Sequence, residues 1–350
     1  MRVAIVDGDL CYPATSGKRL RSLNLLLPLA RRHSITCIMR GHGNDEENRN
    51  CRMFLEAQGI EATIIDDPLP LKTGIGFYAR LVANMASSLP YSVASHHSKR
   101  FAAGVREWAA GRTFDLWSVD WSGYLYAVAA SGACQRPDSV EQGVSTPLIL
   151  QAHNVDSLIW QRTFDMAKGA FKRWYVWRQW QKFKRHEADA FRRVHRVVFV
   201  SESDAALACE WFGIDNGDIV ENGVEVAAYD AVNPSAGSRT ILFLGSLDWR
   251  PNRDAVERLL RDIFPRVRSA VADAALVIVG RKPPPALTTW VRTSPGVQLH
   301  ADVPDVRPYL AASGVMAVPL RIGGGSRLKI LEALACGLPV VSTTVGAEGL

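Results

Sequence analysis

Residues 323–342 read GGGSRLKILEALACGLPVVS. An apolar run, Met316–Pro319, precedes them, and a second, Val340–Ser342, closes them. Between the two lie three glycines, a stretch Arg327–Ala335 with apolar residues at helical spacing, and then Gly337 and Pro339, which stop a helix. Strand, glycine turn, helix and strand in that order make a βαβ unit, because two parallel strands need a crossover connection.

Working outward, the same alternation fills the rest of the chain. Ile241–Leu244, Leu276–Val279 and Val297–His300 read as further strands of this block, with Ala255–Phe264 as an intervening helix. Upstream, Arg2–Val6, Ser34–Met39, Ala62–Ile65, Leu116–Val119, Leu148–Gln151 and Val197–Val200 form a second series, with Leu20–Arg32 and Phe101–Ala110 as helices between them. Near-continuous apolar strands separated by helices indicate parallel sheets covered on both faces. The expected fold is α/β, with two Rossmann-like doubly wound parallel-sheet domains, 1–213 and 214–350, joined around Ile214–Asp218. Turn residues mark loops at Asp66-Asp67-Pro68, Pro90, Gln135–Thr146 and Pro283-Pro284-Pro285.

In open sheets of this kind ligands bind beyond the carboxyl ends of the strands, and the glycine segment sits there. Glycines let a ligand approach the backbone. Ser326 reads as the N-cap of the following helix, whose first turn offers free N–H groups and a positive dipole end. Arg327 and Lys329 add full charges. Together these suit a diphosphate; the plainer reading is a capped helix with two solvated cations. Glu332, three residues after Lys329, is placed to accept ribose hydroxyls or to pair with Lys329 along the helix.

Composition narrows the classes. The chain has 350 residues, 47% hydrophobic and 22% charged, and a formal net charge of +6. That is ordinary globular material, and the basic excess suits phosphate-bearing ligands or an anionic surface without a nucleic-acid recognition motif. No apolar run reaches the ~18 residues of a membrane span, and Val3–Val6 is too short for a signal-peptide core, so a cytoplasmic location is expected. Cys11, Cys37, Cys51, Cys134, Cys209 and Cys336 form no Cys-x-x-Cys pair and read as reduced thiols.

One segment departs from the average. Residues 168–193, KGAFKRWYVWRQWQKFKRHEADAFRR, hold nine Lys or Arg against two acidic residues. At ~100° per residue, Trp174, Val176, Trp177, Trp180 and Phe183 share one broad arc. Lys168, Lys172, Arg178, Lys182 and Arg185 cluster opposite. Such a helix either packs its arc on a core and solvates its basic face, or lies on an anionic membrane surface.

Further short motifs stand in order along the chain: Ser16-Gly17-Lys18-Arg19, Ala152-His153-Asn154-Val155, Phe199-Val200-Ser201-Glu202, Glu221-Asn222-Gly223-Val224, Leu244-Gly245-Ser246-Leu247-Asp248-Trp249 and Val279-Gly280-Arg281. With residues 323–342 they resemble glycosyltransferase family 4, the group 1 glycosyltransferases of GT-B fold. The resemblance spans nearly the whole chain. It implies two Rossmann-like domains facing across a cleft, an acceptor-side domain first and a nucleotide-sugar donor domain second, with the second expected to be incomplete at its C-terminus. It implies transfer of a sugar from a nucleotide-sugar to a glycan or lipid-linked acceptor in bacterial polysaccharide synthesis, with retention and with neither metal nor cofactor. No Asp-x-Asp stands next to a strand to hold a divalent ion.

By the same resemblance Glu332 matches the second Glu of a Glu-x7-Glu motif and contacts the ribose, while Gly324 stands where the family carries the first Glu, and the backbone amides of Gly324 and Gly325 are expected to take part of its contact with the sugar ring. Ser246 and Arg250-Pro251-Asn252 replace the usual Arg and Lys on the diphosphate, so Arg327 and Lys329 are expected to supply the charge. His153 is expected beside the transferred sugar and counts with Arg327 and Lys329 as catalytic. Gly17, Gly245, Gly324, Gly325, Ser326 and Glu332 are expected to bind the donor; Lys18 and Arg19, with Arg21 in the same run, either neutralise donor or acceptor phosphate or form a solvated charge run. A location at the inner face of the plasma membrane follows if the acceptor is lipid-linked. The alternatives are a non-catalytic binder of nucleotide-sugars or glycans, and a sugar-nucleotide epimerase.

Overall fold

A computed structural model describes residues 1–132 and 146–350; Cys134 and nearly all of the Gln135–Thr146 loop lie outside the described residues. The chain forms two compact units, one of Met1–Ala14 and Lys18–Val220, the other of Thr15–Gly17 and Glu221–Leu350.

Among the described residues the first unit holds seven strands: β1 Arg2–Asp7, β2 Ser34–Gly41, β3 Glu61–Asp66, β4 Leu116–Asp120, β5 Leu148–Ala152, β6 Arg196–Phe199 and β7 Gly217–Ile219. All pair in parallel, in the order β3-β2-β1-β4-β5-β6-β7. Its helices are α1 Gly17–Ala30, α2 Asp45–Ala57, α3 Gly74–Asn84, α4 Tyr91–His96, α5 Lys99–Ala109, α6 Leu125–Ser131, α7 Asp156–Met166, α8 Ala170–Arg192 and α9 Glu202–Phe212. Strand alternation supplies a core on each face of the sheet. Ala4 and Val6 of β1 enter a cluster with Phe101, Val119 and Phe199. Val3 of β1 with Ile35, Cys37 and Met39 of β2 enter the other, which also takes Leu23 and Leu26 of α1.

The second unit holds β8 Thr240–Leu244, β9 Ala275–Gly280, β10 Val297–Ala301, β11 Val315–Val318 and β12 Val340–Ser342, parallel in the order β10-β9-β8-β11-β12. Its helices are α10 Arg250–Arg258, α11 Phe264–Ala270, α12 Pro285–Arg292, α13 Arg307–Ala312 and α14 Leu328–Ala335. A single π-turn, Leu259–Ile263, joins α10 to α11, so the helix expected at Ala255–Phe264 continues past that point.

All eleven expected strands are present. The twelfth, β7, has three exposed residues and lacks the apolar run by which a buried strand is read. It pairs with β6 and carries the first unit to Val220, beyond the boundary expected at Gly213. Each sheet reverses strand direction of travel once, between β1 and β4 and between β8 and β11. Those reversals open crevices at the carboxyl ends of the strands.

Candidate functional sites

In the first unit the switch point is lined by acids. Asp7 ends β1, Asp120 ends β4, and the two are register partners. Both are buried. Lys18, on the first turn of α1, bonds Asp7 and lies 2.8 Å from Asp120 Oδ2. Asp120 Oδ1 receives His153 Nε2, from the loop after β5. Ser22 donates to Asp120 Oδ2 at 3.2 Å. Burial works against ionisation of both acids. Asp120, between His153 and Lys18, is nonetheless held well below the usual carboxylate range, whereas burial and the Asp120 charge push Asp7 up. The three carboxylates of Asp7, Asp120 and Asp9 keep the Lys18 ammonium charged against its desolvation.

The basic run is engaged within the fold. Lys18 is shared by two carboxylates. Arg19, only 3% exposed, donates to Asp9 at 2.7 Å and pairs with Glu47. Arg21, read in the sequence as a neighbour in the same run, donates to the Val220 carbonyl at 2.6 Å. A helical turn that faces a sheet edge rich in carboxylates turns its cations inward, and Lys18 and Arg19 hold carboxylates of the first unit. Gly17 is the first residue of α1.

Beside His153 a second acidic group was not read from the sequence. Glu187 of α8 accepts from the Asp156 and Ser157 amides at 2.6 and 2.9 Å and so caps α7. Trp121, held at φ 77°, donates from Nε1 to Asp156 at 2.6 Å; a non-glycine residue in that conformation stores strain that clusters at functional sites. Burial raises Asp156 to about 6 and Glu187 to about 8. Asp7 and Asp120 did leave a signal: each is the acid that ends an apolar strand.

In the second unit the glycine segment follows β11, as expected. Gly325 takes φ 69°, a conformation that favours glycine. At Gly323 a Cβ would stand 2.2 Å from the Arg327 guanidinium. The reason is that Arg327 folds back and donates to the carbonyls of Gly324 and Gly325, the latter at 2.8 Å. It is 5% exposed. Arg327 therefore braces the loop from beneath, and the carbonyls of Gly324 and Gly325 face that cation. Arg327, with extended backbone, is the N-cap of α14, in place of Ser326. Ser326 Oγ instead accepts from Asn222 Nδ2 at 2.7 Å.

Lys329 is the cation that points into the switch region. Its Nζ donates to Asn252 Oδ1 at 3.0 Å and lies 4.8 Å from the centroid of the Phe243 ring. Asn252, itself buried, donates to the Ser246 carbonyl at 2.9 Å. Gly245 is required here, since a Cβ would come within 2.7 Å of the Asn252 side chain and 2.8 Å of Lys329 Nζ. Desolvation, with the Arg327 charge nearby, lowers the ammonium to about 7. Asn252, read in the sequence as a departure from the family, is thus the partner that positions Lys329.

One turn on, Glu332 Oε1 accepts from Tyr229 at 2.8 Å, so Tyr229 takes the place of the helix ion pair considered for Lys329. Oε2 has no hydrogen-bond partner among the described residues. Burial raises the Glu332 carboxyl above its ordinary range. Gly324, Gly325, Ser326, Lys329 and Glu332 come together around the start of α14, with Gly245 at the end of β8.

Comparison with known proteins bears on the family and the fold. The family model described as Glycosyltransferase Family 4 matches residues 23–228, and that described as Glycosyl transferases group 1 matches residues 238–350. An uncharacterized 44.6 kDa protein in the cps region of Klebsiella pneumoniae is 20% identical over 356 residues, across 99% of this chain and 84% of its own. The phosphatidyl-myo-inositol mannosyltransferase of Propionibacterium freudenreichii subsp. shermanii is 26% identical over 162 residues, 44% of this chain and 40% of its own. Among solved structures, Anabaena HepE in complex with UDP and glucose superposes with a TM-score of 0.60 at 15% identity, covering 99% of this chain and 81% of the other. Sucrose-phosphate synthase of Thermosynechococcus elongatus gives 0.64 at 15% identity, covering 99% and 82%. At that identity the structural likenesses bear on the fold.

Proposed function

The chain belongs to glycosyltransferase family 4, and from that premise we propose that it moves a sugar from a nucleotide-sugar to a glycan or lipid-linked acceptor, with retention and without a divalent cation. The observation that carries the donor assignment is the pairing, one helical turn apart on α14, of a desolvated Lys329 held by Asn252 with a Glu332 whose Oε2 is open. The first neutralises a diphosphate and the second accepts ribose hydroxyls. Negative charge develops on the leaving diphosphate during transfer, so a fixed cation and backbone dipoles in a water-poor site stabilise that stage most. Arg327 acts through the loop that it braces. In the first unit Asp120 orients His153 for the sugar. HepE binds UDP and glucose, which supports a nucleotide-sugar donor. The Klebsiella relative lies in a cps region, which supports a polysaccharide acceptor, and the phosphatidyl-myo-inositol mannosyltransferase supports a lipid-borne one. We place the reaction in the cytoplasm, at the membrane face where such an acceptor is met. No described helix is long and apolar enough to cross a membrane.

The test is release of free nucleoside diphosphate from a panel of UDP-, GDP- and ADP-sugars, with and without glycan and glycolipid acceptors, in the presence of EDTA. Acceptor-dependent release of one nucleotide class supports the reading. Binding of a donor with no release under any acceptor leaves a binding protein, and a requirement for added Mg²⁺ removes the metal-independent part.

A further inference from the structure

Exposed apolar side chains concentrate on two helices of the first unit. On α3 and the residues just before it, Leu71, Ile75, Tyr78 and Val82 are exposed, Ile75 at 89%. The spacing 75, 78, 82 puts three of them on one helical face. On α8, Phe171, Trp174 and Trp177 are exposed, at 74%, 44% and 41%. The exposure does not come from a helix without a core. Val176 and Phe183 of α8 are buried, Trp180 stacks on Phe164 and Phe183 on Trp160. Only the first half of the helix projects its aromatics, where the sequence had placed Trp174 and Trp177 on the same arc as the buried residues. Lys182, expected on the solvated basic face, is buried and donates to the Asn84 carbonyl at 2.6 Å. Gln179 donates to Asn84 Oδ1 at 3.1 Å. These bonds tie the end of α3 to the middle of α8.

The surroundings carry one sign of charge. Neither Pro68–Arg106 nor Met166–His186 contains an Asp or Glu. Lys168, Lys172 and Arg185 have no ion pair among the described residues. A hollow of about 340 Å³ opens where the helices meet, between Met85–Ser88 and α8. Trp177, Arg178 and Arg185 line one side of it and Ser87 and Ser88 the other. Arg178 donates to the Met85 carbonyl at 3.2 Å, which fixes it at the rim. Large exposed apolar side chains gathered on two joined helices mark an interaction site. Trp and Tyr among cations suit a bilayer interface, where rings sit at headgroup depth and guanidinium groups meet phosphate.

We propose that the α3–α8 face docks on an anionic lipid bilayer, with a lipid phosphate headgroup seated in the hollow beside Trp177, Arg178 and Arg185. This deepens the membrane placement given above and rests on it, but not on the donor chemistry, so the two are tested apart.

The experiment is cosedimentation of the full chain with vesicles of phosphatidylcholine alone and of phosphatidylcholine mixed with phosphatidylglycerol, with tryptophan emission followed in parallel. Expected are binding to the anionic vesicles only and a blue shift on binding. Each of Arg178→Gln and Arg185→Gln lowers partitioning about fivefold, the factor that about 1 kcal/mol per surface cation gives. Trp177→Ser and Ile75→Ser weaken binding while nucleotide binding and thermal unfolding stay as in the unaltered chain. Because Ile75 and Trp177 lie on different helices, loss of fold in one variant leaves the other to decide. Equal binding to neutral and anionic vesicles, no binding to either, or binding unaffected by all four substitutions overturns the proposal. So does displacement from the vesicles by millimolar glycerol 3-phosphate, which would make the hollow a site for a soluble phosphate.

Discussion

Asp7 and Asp120 face each other in register at the ends of two adjacent parallel strands, and the ammonium of Lys18 bridges them. Two buried carboxylates side by side hold their positions only with that cation present. Lys18→Met should cost roughly 3–5 kcal/mol at neutral pH, as loss of one partner from a buried ion cluster does. The loss should shrink as pH falls toward 4, because protonation removes the repulsion between the acids. Urea unfolding of both proteins at pH 7 and pH 4.5 checks this, and a loss under 1 kcal/mol at both would show the cluster to be solvated.

Asp120 also orients His153. Asp120→Asn keeps the shape and removes the charge that holds the imidazole. We expect kcat to fall on the order of 10²-fold, the scale that misplacement of a positioned group gives, with donor KM little changed. His153→Ala should give a similar loss, and the double variant should be no worse than the more impaired single one, since the pair acts as a unit. Additive losses would separate the two residues.

Burial disfavours the charge of Lys329 and lowers its ammonium to about 7. A bound diphosphate favours the charged form, so donor binding takes up a proton above that pH. Nucleotide affinity should therefore fall as pH rises from 7 to 9. Calorimetry in two buffers of different ionisation enthalpy would register the uptake. Lys329→Met should abolish the dependence and weaken binding by roughly 1.5–3 kcal/mol, the range for a hydrogen bond to a charged group. A pH-independent affinity in the unaltered protein would place another group on the phosphates.

Glu332 divides its two oxygens between Tyr229 and, by our assignment, the ribose. Glu332→Ala should lose binding of a nucleoside diphosphate by at least tenfold, whereas Tyr229→Phe should lose only a few-fold because Oε2 still accepts. The 2′-deoxy nucleotide should be discriminated against by Tyr229→Phe and should bind the Glu332→Ala protein as the ribo form does. Equal discrimination by both proteins would remove Glu332 from the ribose.

Glu187 is raised by burial to about 8 in the folded protein, against about 4.3 in an unfolded chain. The native state then binds the extra proton between those values, so this residue makes stability fall as pH rises from about 5 to 8. Glu187→Gln keeps an acceptor for the Asp156 and Ser157 amides and should flatten that slope. Chemical unfolding across this range, on both proteins, measures it; an unchanged slope would assign the proton elsewhere.

The sequence by itself determined the layered architecture. Apolar runs of β-branched residues at regular intervals have few ways to be buried, and the helices between them force parallel pairing. It also determined where ligands meet the second unit, because glycines after a strand and before a helix leave backbone groups open whatever surrounds them. The sequence left β7 unread, since three exposed residues in a short edge strand carry no burial signal.

The destination of each charge was decided only by the tertiary structure. Lys18, Arg19 and Arg21 read as a solvated or phosphate-binding run, and the fold turns all three inward to carboxylates or a carbonyl. Arg327 and Lys329 read as equivalent, and the fold spends one on its own loop and points the other at Asn252. On α8 the wheel joined buried and exposed aromatics in one arc, and α7 and α3 separated them by covering only part of the helix. The physical reason is common to these cases. Apolar burial follows local periodicity, which the sequence carries in every window. A long cation has several partners within reach, and the one it takes is set by residues distant in the chain, as Asp120 is from Lys18 and Asn252 from Lys329.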